Sequence, residues 1–235
     1  MLAFPLPKAT LGRLAVAAVI TLAAGATPAR AADDQPDARP LSPAQVALFM
    51  TPHMKNIEHP ETLQYSFTRD GASGFTDTVS ERITSVHPDG SKAVSFEFFT
   101  GERRKPFPGV DDFSGNPLLM VFLENDVNTM RDTLGVSATY FRNRVREAMV
   151  DRATVAATTY TLDGKPVAAQ EVTVQPFAGD QRFDRLPTVQ AKTYRFILSD
   201  AVPGGLAEIS TAMPADAAQD IPAAGEKIVF AGVAP

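Results

Sequence analysis

The chain has 235 residues, 44% hydrophobic and 21% charged, with no cysteine, no tryptophan and a formal charge of −5. That length suits one domain with a real core, and zero cysteine excludes disulfides, thiol catalysis, thiolate zinc sites, iron–sulfur clusters and a lipidated cysteine. The acidic balance argues against nucleic acid as a partner, and His53, His59 and His87 are the only histidines, so no metal and no cofactor are expected.

Lys8 and Arg13 form a basic start, Leu14 to Ala26 is an apolar run, and Ala29-Arg30-Ala31 fits the small-x-small cleavage rule. The run is shorter than the ~20 apolar residues of a spanning helix. Residues 1–31 are therefore expected to be a signal peptide, cleaved before Ala32. Losing Lys8, Arg13 and Arg30 leaves 19 of 22 basic residues against 27 acidic ones, so the processed chain carries −8. The expected location is the periplasm of a Gram-negative bacterium, with no integral membrane segment after processing.

Residues 32–41 read as a flexible leader, and 42–235 as a single α+β domain. Ser42, Pro43 and Gln45 make a capping box with proline at the first helical position, and Leu41 and Val46 are spaced as a hydrophobic staple. The helix is expected to reach Met50, since Pro52 stops it. His53 follows, as a solvated loop residue.

From residue 61 the period changes to two. Leu63, Tyr65 and Phe67 alternate with polar residues, and so do Val94, Phe96 and Phe98. Phe75, Val79 and Ile83 share a parity with Asp77 and Glu81. Turns at Gly71–Gly74 and Pro88-Asp89-Gly90 make this a three-stranded meander. The loop that follows carries Arg103, Arg104 and Lys105, either an anion-binding patch or a solvated strand end.

The insertion at about 116–150 has helical period. Asn116 and Pro117 open one helix, whose Leu119, Leu123, Val127, Met130 and Leu134 recur at spacings of three and four; Gly135 stops it. Ser137 can cap a second helix with Phe141, Val145, Ala148 and Met149 on one stripe, and with Arg142 and Arg146 one turn apart. Glu124 and Asp126, two residues apart, are expected on different, solvated faces. Beyond 150 come a hairpin about Asp163-Gly164, a loop over 176–190, a strand in which Tyr194, Phe196 and Leu198 alternate, a strand over 206–213, a Pro/Ala-rich linker at 214–225 and a last short strand from Lys227.

No Gly-x-Ser-x-Gly, no His-Glu-x-x-His and no glycine-rich phosphate loop occurs, so the expectation is a non-enzyme. The aromatic residues on strands and inserted helices either fill an ordinary core or enclose a cavity for a hydrophobic ligand. On the cavity reading its lining is Phe96, Phe98, Leu119, Phe122, Leu123, Phe141, Tyr194 and Phe196. Arg103, Arg104, Arg142 or Arg146 would then meet an anionic head.

The meander ETLQYSFTRDGASGFTDTVSERITSVHPDGSKAVSFEFF and the insert GNPLLMVFLENDVNTMRDTLGVSATYFRNRVREAM, after an export signal and a capped helix, give an element order that resembles the periplasmic lipoprotein carriers LolA and LolB. The resemblance implies a strongly curved antiparallel sheet, an incomplete β-barrel, with helices on its concave side as a lid. It implies a carrier whose partner is an acyl chain or other hydrophobic small molecule. Two rivals stand beside it: an envelope assembly factor that binds another protein, and a hydrolase working through paired carboxylates.

Overall fold

The computed structural model describes residues 40–71 and 73–234. The expected signal peptide, and the leader as far as Arg39, lie outside the described residues.

The chain starts as read. Ser42 Oγ accepts from Gln45 N at 3.1 Å while Ser42 N donates to Gln45 Oε1 at 2.9 Å, closing the capping box of α1 (Pro43–Gln45). The helix widens into a π turn over Val46–Met50, closed by Thr51 N on Val46 O at 3.1 Å. Strands β1 (Glu61–Arg69), β2 (Phe75–Val86), β3 (Lys92–Phe98) and β4 (Val110–Phe113) follow as a meander. Helices α2 (Leu118–Leu134) and α3 (Ala138–Asp151) come next. Then β5 (Thr154–Leu162), β6 (Lys165–Val174), the one-turn α4 (Pro187–Gln190), β7 (Thr193–Leu198), β8 (Leu206–Met213) and β9 (Ala224–Ala234) complete the domain.

All nine strands form one antiparallel sheet in the order β4-β3-β2-β1-β9-β8-β7-β6-β5. The first and last strands pair at its centre, Tyr65 opposite Phe230 and Phe67 opposite Ile228. The first meander therefore grows outward to one edge at β4, and the second grows inward from the other edge at β5. The helical insertion joins the two edges. Because that connection must cross the sheet, it lays α2 and α3 over one face.

Two expectations are corrected here. The sheet is open, with β4 and β5 as separate edges, and it is neither closed nor strongly curled. The helices cover the apolar face that a barrel would have to bury by curling. The last strand is also long and central, β9 running from Ala224 to Ala234, while the expected linker is the β8–β9 hairpin with an Asp216–Ile221 bridge.

One continuous core lies between sheet and helices. Leu63, Phe67, Val79, Phe98, Val172, Phe196 and Ile228 from the strands meet Leu119, Phe122, Phe141 and Val145 from the helices. At the junction of the helices Gly135 takes φ +66°, the left-handed conformation glycine adopts without a Cβ penalty, and its N–H bonds Arg131 O at 2.9 Å. The chain turns there and Ser137 caps α3 by accepting from Tyr140 N at 3.3 Å.

Candidate functional site

Two buried polar clusters sit under α2, one at each end. At its start, Asn116 Oδ1 accepts from Leu118 N at 3.0 Å, supplying the cap. The Asn116 amide also donates to Gly204 O at 2.9 Å and to Tyr65 Oη at 3.4 Å, and Tyr65 donates to Glu81 Oε2 at 3.3 Å. Glu81 is fully buried on the apolar face of β2, and burial pushes its pKa up to about 8. His53 belongs to the same cluster. Its Nε2 bonds Ala47 O at 2.8 Å, Nδ1 accepts from Asn116 N at 3.3 Å, and burial lowers its pKa, keeping the ring neutral. The expected solvated loop histidine is thus a core residue. Gly205 lets the backbone approach it; a Cβ there would stand 2.9 Å from His53 Cβ.

The second cluster lies under the other half of α2. Asp126 faces inward on the stripe of Phe122 and Met130, and its side chain is 3% exposed. Its Oδ1 accepts from Lys192 Nζ at 2.6 Å and its Oδ2 accepts from the Tyr194 hydroxyl. On the neighbouring strands Arg69 Nε donates to Glu226 Oε1 at 2.8 Å. Glu226 Oε2 has no hydrogen-bond partner among the described residues, and burial, then nearby Asp126, raises the Glu226 pKa.

The expectation that both Glu124 and Asp126 are solvated is corrected for Asp126. Glu124 does sit on the outer face, bidentate to Arg142 at 2.6 and 2.8 Å. Asp126 faces the sheet because four residues bring it back under Phe122.

Above the second cluster opens a cleft of about 310 Å³, in the size range of ligand sites. Its walls are Met130 and Leu134 of α2, Val189 of α4, Met213 of β8 and Ala224 of β9; Thr129, Thr133 and Thr211 add hydroxyls. Its floor is ionic: Arg69, Asp126, Lys192 and Glu226. Buried ionisable groups in a cleft are where function concentrates. Further cations flank it. Arg69 and Arg103 stand over the Phe75 ring at 5.0 and 4.9 Å, and Lys105 bonds Asn125 Oδ1 at 2.5 Å.

The expected lining residues separate into three places. Phe98, Leu119, Phe122, Phe141, Tyr194 and Phe196 are buried in the continuous core, with Phe96 half-buried against it. Arg104 pairs with Glu97 at 2.9 Å near the β3 edge, and Arg103 reaches Phe75. Leu123, Arg142 and Arg146 come together on an outer groove of about 470 Å³, bordered by Phe49, Met120 and Met149. Arg146 makes no ion pair there among the described residues. Leu41, Val46, Phe49, Met50 and Met120 are exposed along the N-terminal segment and α2.

Among the described residues one group could hold a metal ion: His87 with Asp111 and Asp112, whose ligand atoms lie within 4.8 Å of one another. All three are surface residues. His87 Nε2 bonds Asp111 Oδ1 at 2.7 Å, and that bond raises the His87 pKa.

The class these observations define is an α+β domain with an open antiparallel sheet, roofed by two helices and cleft at one end of the roof. No family model matches the chain, and no curated protein matches it. Among solved structures it is a distant match to the Mycobacterium tuberculosis lipoprotein LppX, at 10% identity and a TM-score of 0.29, over 72% of this chain and 84% of that one. No residue role is taken from that likeness. In the described part no helix is long and apolar enough to cross a membrane.

Proposed function

We propose that the protein is an exported, periplasmic carrier that holds a hydrophobic ligand between the sheet and α2, with no chemical step of its own. The observation that carries this reading is the cleft, apolar on its walls, open to solvent and roofed by the helical insertion. Such walls favour an alkyl chain by ~25 cal/mol per Å² of surface removed from water. The α2–α3 pair is the roof under which the ligand would pass, and Met130 and Leu134 are the side chains it would touch first.

Mass spectrometry under native conditions, on protein purified from its own periplasm, should show a chain beginning at Ala32 with bound lipid. Leu134→Asp should weaken a fluorescent fatty-acid probe by at least about tenfold, since it places a charge against the chain. A chain that carries no lipid and binds no such probe ends the carrier reading.

The exposed apolar residues around the outer groove favour a second reading, an envelope protein that docks there. Under it, Met120→Asp would abolish partner capture and leave probe binding intact.

A further inference from the structure

The cleft floor is unevenly used. Asp126 spends both carboxylate oxygens, one on Lys192 and one on Tyr194. The ammonium of Lys192 has three N–H groups; among the described residues it makes one hydrogen bond, to Asp126, and stands 5.2 Å from the centre of the Tyr194 ring. Arg69 directs Nε and Nη2 at a single oxygen of Glu226, leaving Nη1 free for another acceptor. Glu226 keeps one buried oxygen with no partner. The buried surplus is therefore several donors from two cations and a single carboxylate oxygen, all lining one space under apolar walls, with the exposed Asp70 at its edge.

A neutral head group leaves most of these donors unmet, which is costly in a buried site. An ammonium head would face Lys192 and Arg69. An oxygen acid meets both needs: its oxygens accept from Lys192 and Arg69, and one shared proton bridges it to the idle oxygen of Glu226.

We propose that the cleft takes amphipathic acids, a carboxylic acid or a phosphate monoester on an alkyl chain, with the acidic head on Lys192 and Arg69 and one proton shared with Glu226. The inference rests on the carrier reading above and names the class of its cargo. The proton comes either with the ligand or from solution, and no covalent bond changes. Around Glu226 stand Arg69 from β1 with Asp70 just beyond it, Asp126 from α2, Lys192 and Tyr194 at β7, and Lys105 from the β3–β4 connection. Burial and the Asp126 charge already make Glu226 hold a proton more tightly than an exposed glutamate. An incoming anion adds to that effect, so binding weakens as pH rises.

The experiment is calorimetric titration of the purified protein with decanoate, decyl phosphate and decanol, each in two buffers of different ionisation enthalpy. Both acids should bind at least about tenfold more tightly than the alcohol, the worth of charged hydrogen bonds at a buried site. The buffer difference should report uptake of up to one proton, and Glu226→Gln should abolish that uptake. Lys192→Met alone strands Asp126, so the paired variant Asp126→Asn with Lys192→Met is used. It should cost the acids about tenfold and leave decanol bound at least as tightly as before, so that the preference for acids narrows. If decyl phosphate binds and decanoate does not, the head is a phosphate. If acid and alcohol bind alike and no proton is taken up, the acidic-head proposal fails while the carrier stands. If neither acid nor alcohol binds, the carrier reading itself falls. Loss of acid binding in Arg146→Ala, with the paired variant unaffected, would move the ligand to the outer groove and overturn the cleft as its site.

Discussion

The two ends of α2 rest on buried carboxylic acids that the fold neutralises in different ways. Beneath its start Glu81 has hydroxyl and amide neighbours and no cation, and its pKa is pushed to about 8 by burial, so it is held as the neutral acid. Beneath its second half Asp126 is paired with Lys192 at 2.6 Å. In the first cluster the acid itself is sealed, Glu81 being fully buried, with Gly205 backed against His53. The second opens into the cleft. A proton suffices where a helix end must only be seated. A lysine is needed where donors must remain for something else.

The largest effect that would test this contrast is the removal of Lys192. Lys192→Met leaves Asp126 buried and unpaired, and breaking a buried pair from one side costs roughly 3–5 kcal/mol. Urea unfolding should show that loss, and the paired Asp126→Asn, Lys192→Met chain should recover most of it. If the single and paired variants are equally unstable, Lys192 packs the core and does not compensate Asp126.

Glu81 predicts the opposite pH behaviour from an ordinary surface acid. Its folded pKa of about 8 lies above the ordinary 4.5, so the native state binds this proton more tightly than the unfolded chain. The contribution is whole below 4.5, falls as pH rises from there to about 8, and is gone above it, a loss on the order of a few kcal/mol. Glu81→Gln keeps the shape and removes the titration. Its stability should fall less steeply across that window than the wild type's, by the share that Glu81 contributes. A wild-type curve that already lacks the decline would mean Glu81 is ionised and solvated in the native protein.

What could be read from the sequence was local. The capping box at Ser42, the first three strands after Glu61, the helix pair and its Gly135 stop all follow from signals within a few residues, and each is where it was expected; the fourth strand, β4, falls at the end of the stretch expected to be a loop. The β1–β9 pairing joins residues more than 150 positions apart and leaves no local trace. Glu81 did leave one, since it shares parity with Val79 and Ile83 on a strand whose inner face is apolar. Lys192 likewise shares parity with Tyr194 and Phe196, the inward positions of that strand. Asp126 was judged by its distance from Glu124, whereas its distance of four from both Phe122 and Met130 is what turns it inward. The cleft floor is assembled from β1, α2, the approach to β7 and β9, so its parts were visible and their meeting was not.

The smallest effect separates the two faces of α2. Glu124 and Arg142 form an exposed, bidentate pair across to α3, and Glu124 is drawn below its ordinary range first by that hydrogen bond. Exposed pairs contribute about 0–1 kcal/mol because water and salt compete for both charges. Arg142→Ala should therefore change stability by less than about 1 kcal/mol, and high salt should erase the difference. The same salt should leave the cost of Lys192→Met nearly unchanged, since the Asp126 pair is out of water. If Arg142→Ala proves as costly as Lys192→Met, the outer face would hold the helices as firmly as the inner one. A roof pinned on both faces could not rise over the cleft, and a ligand would have to enter past Leu134 with α2 and α3 fixed in place.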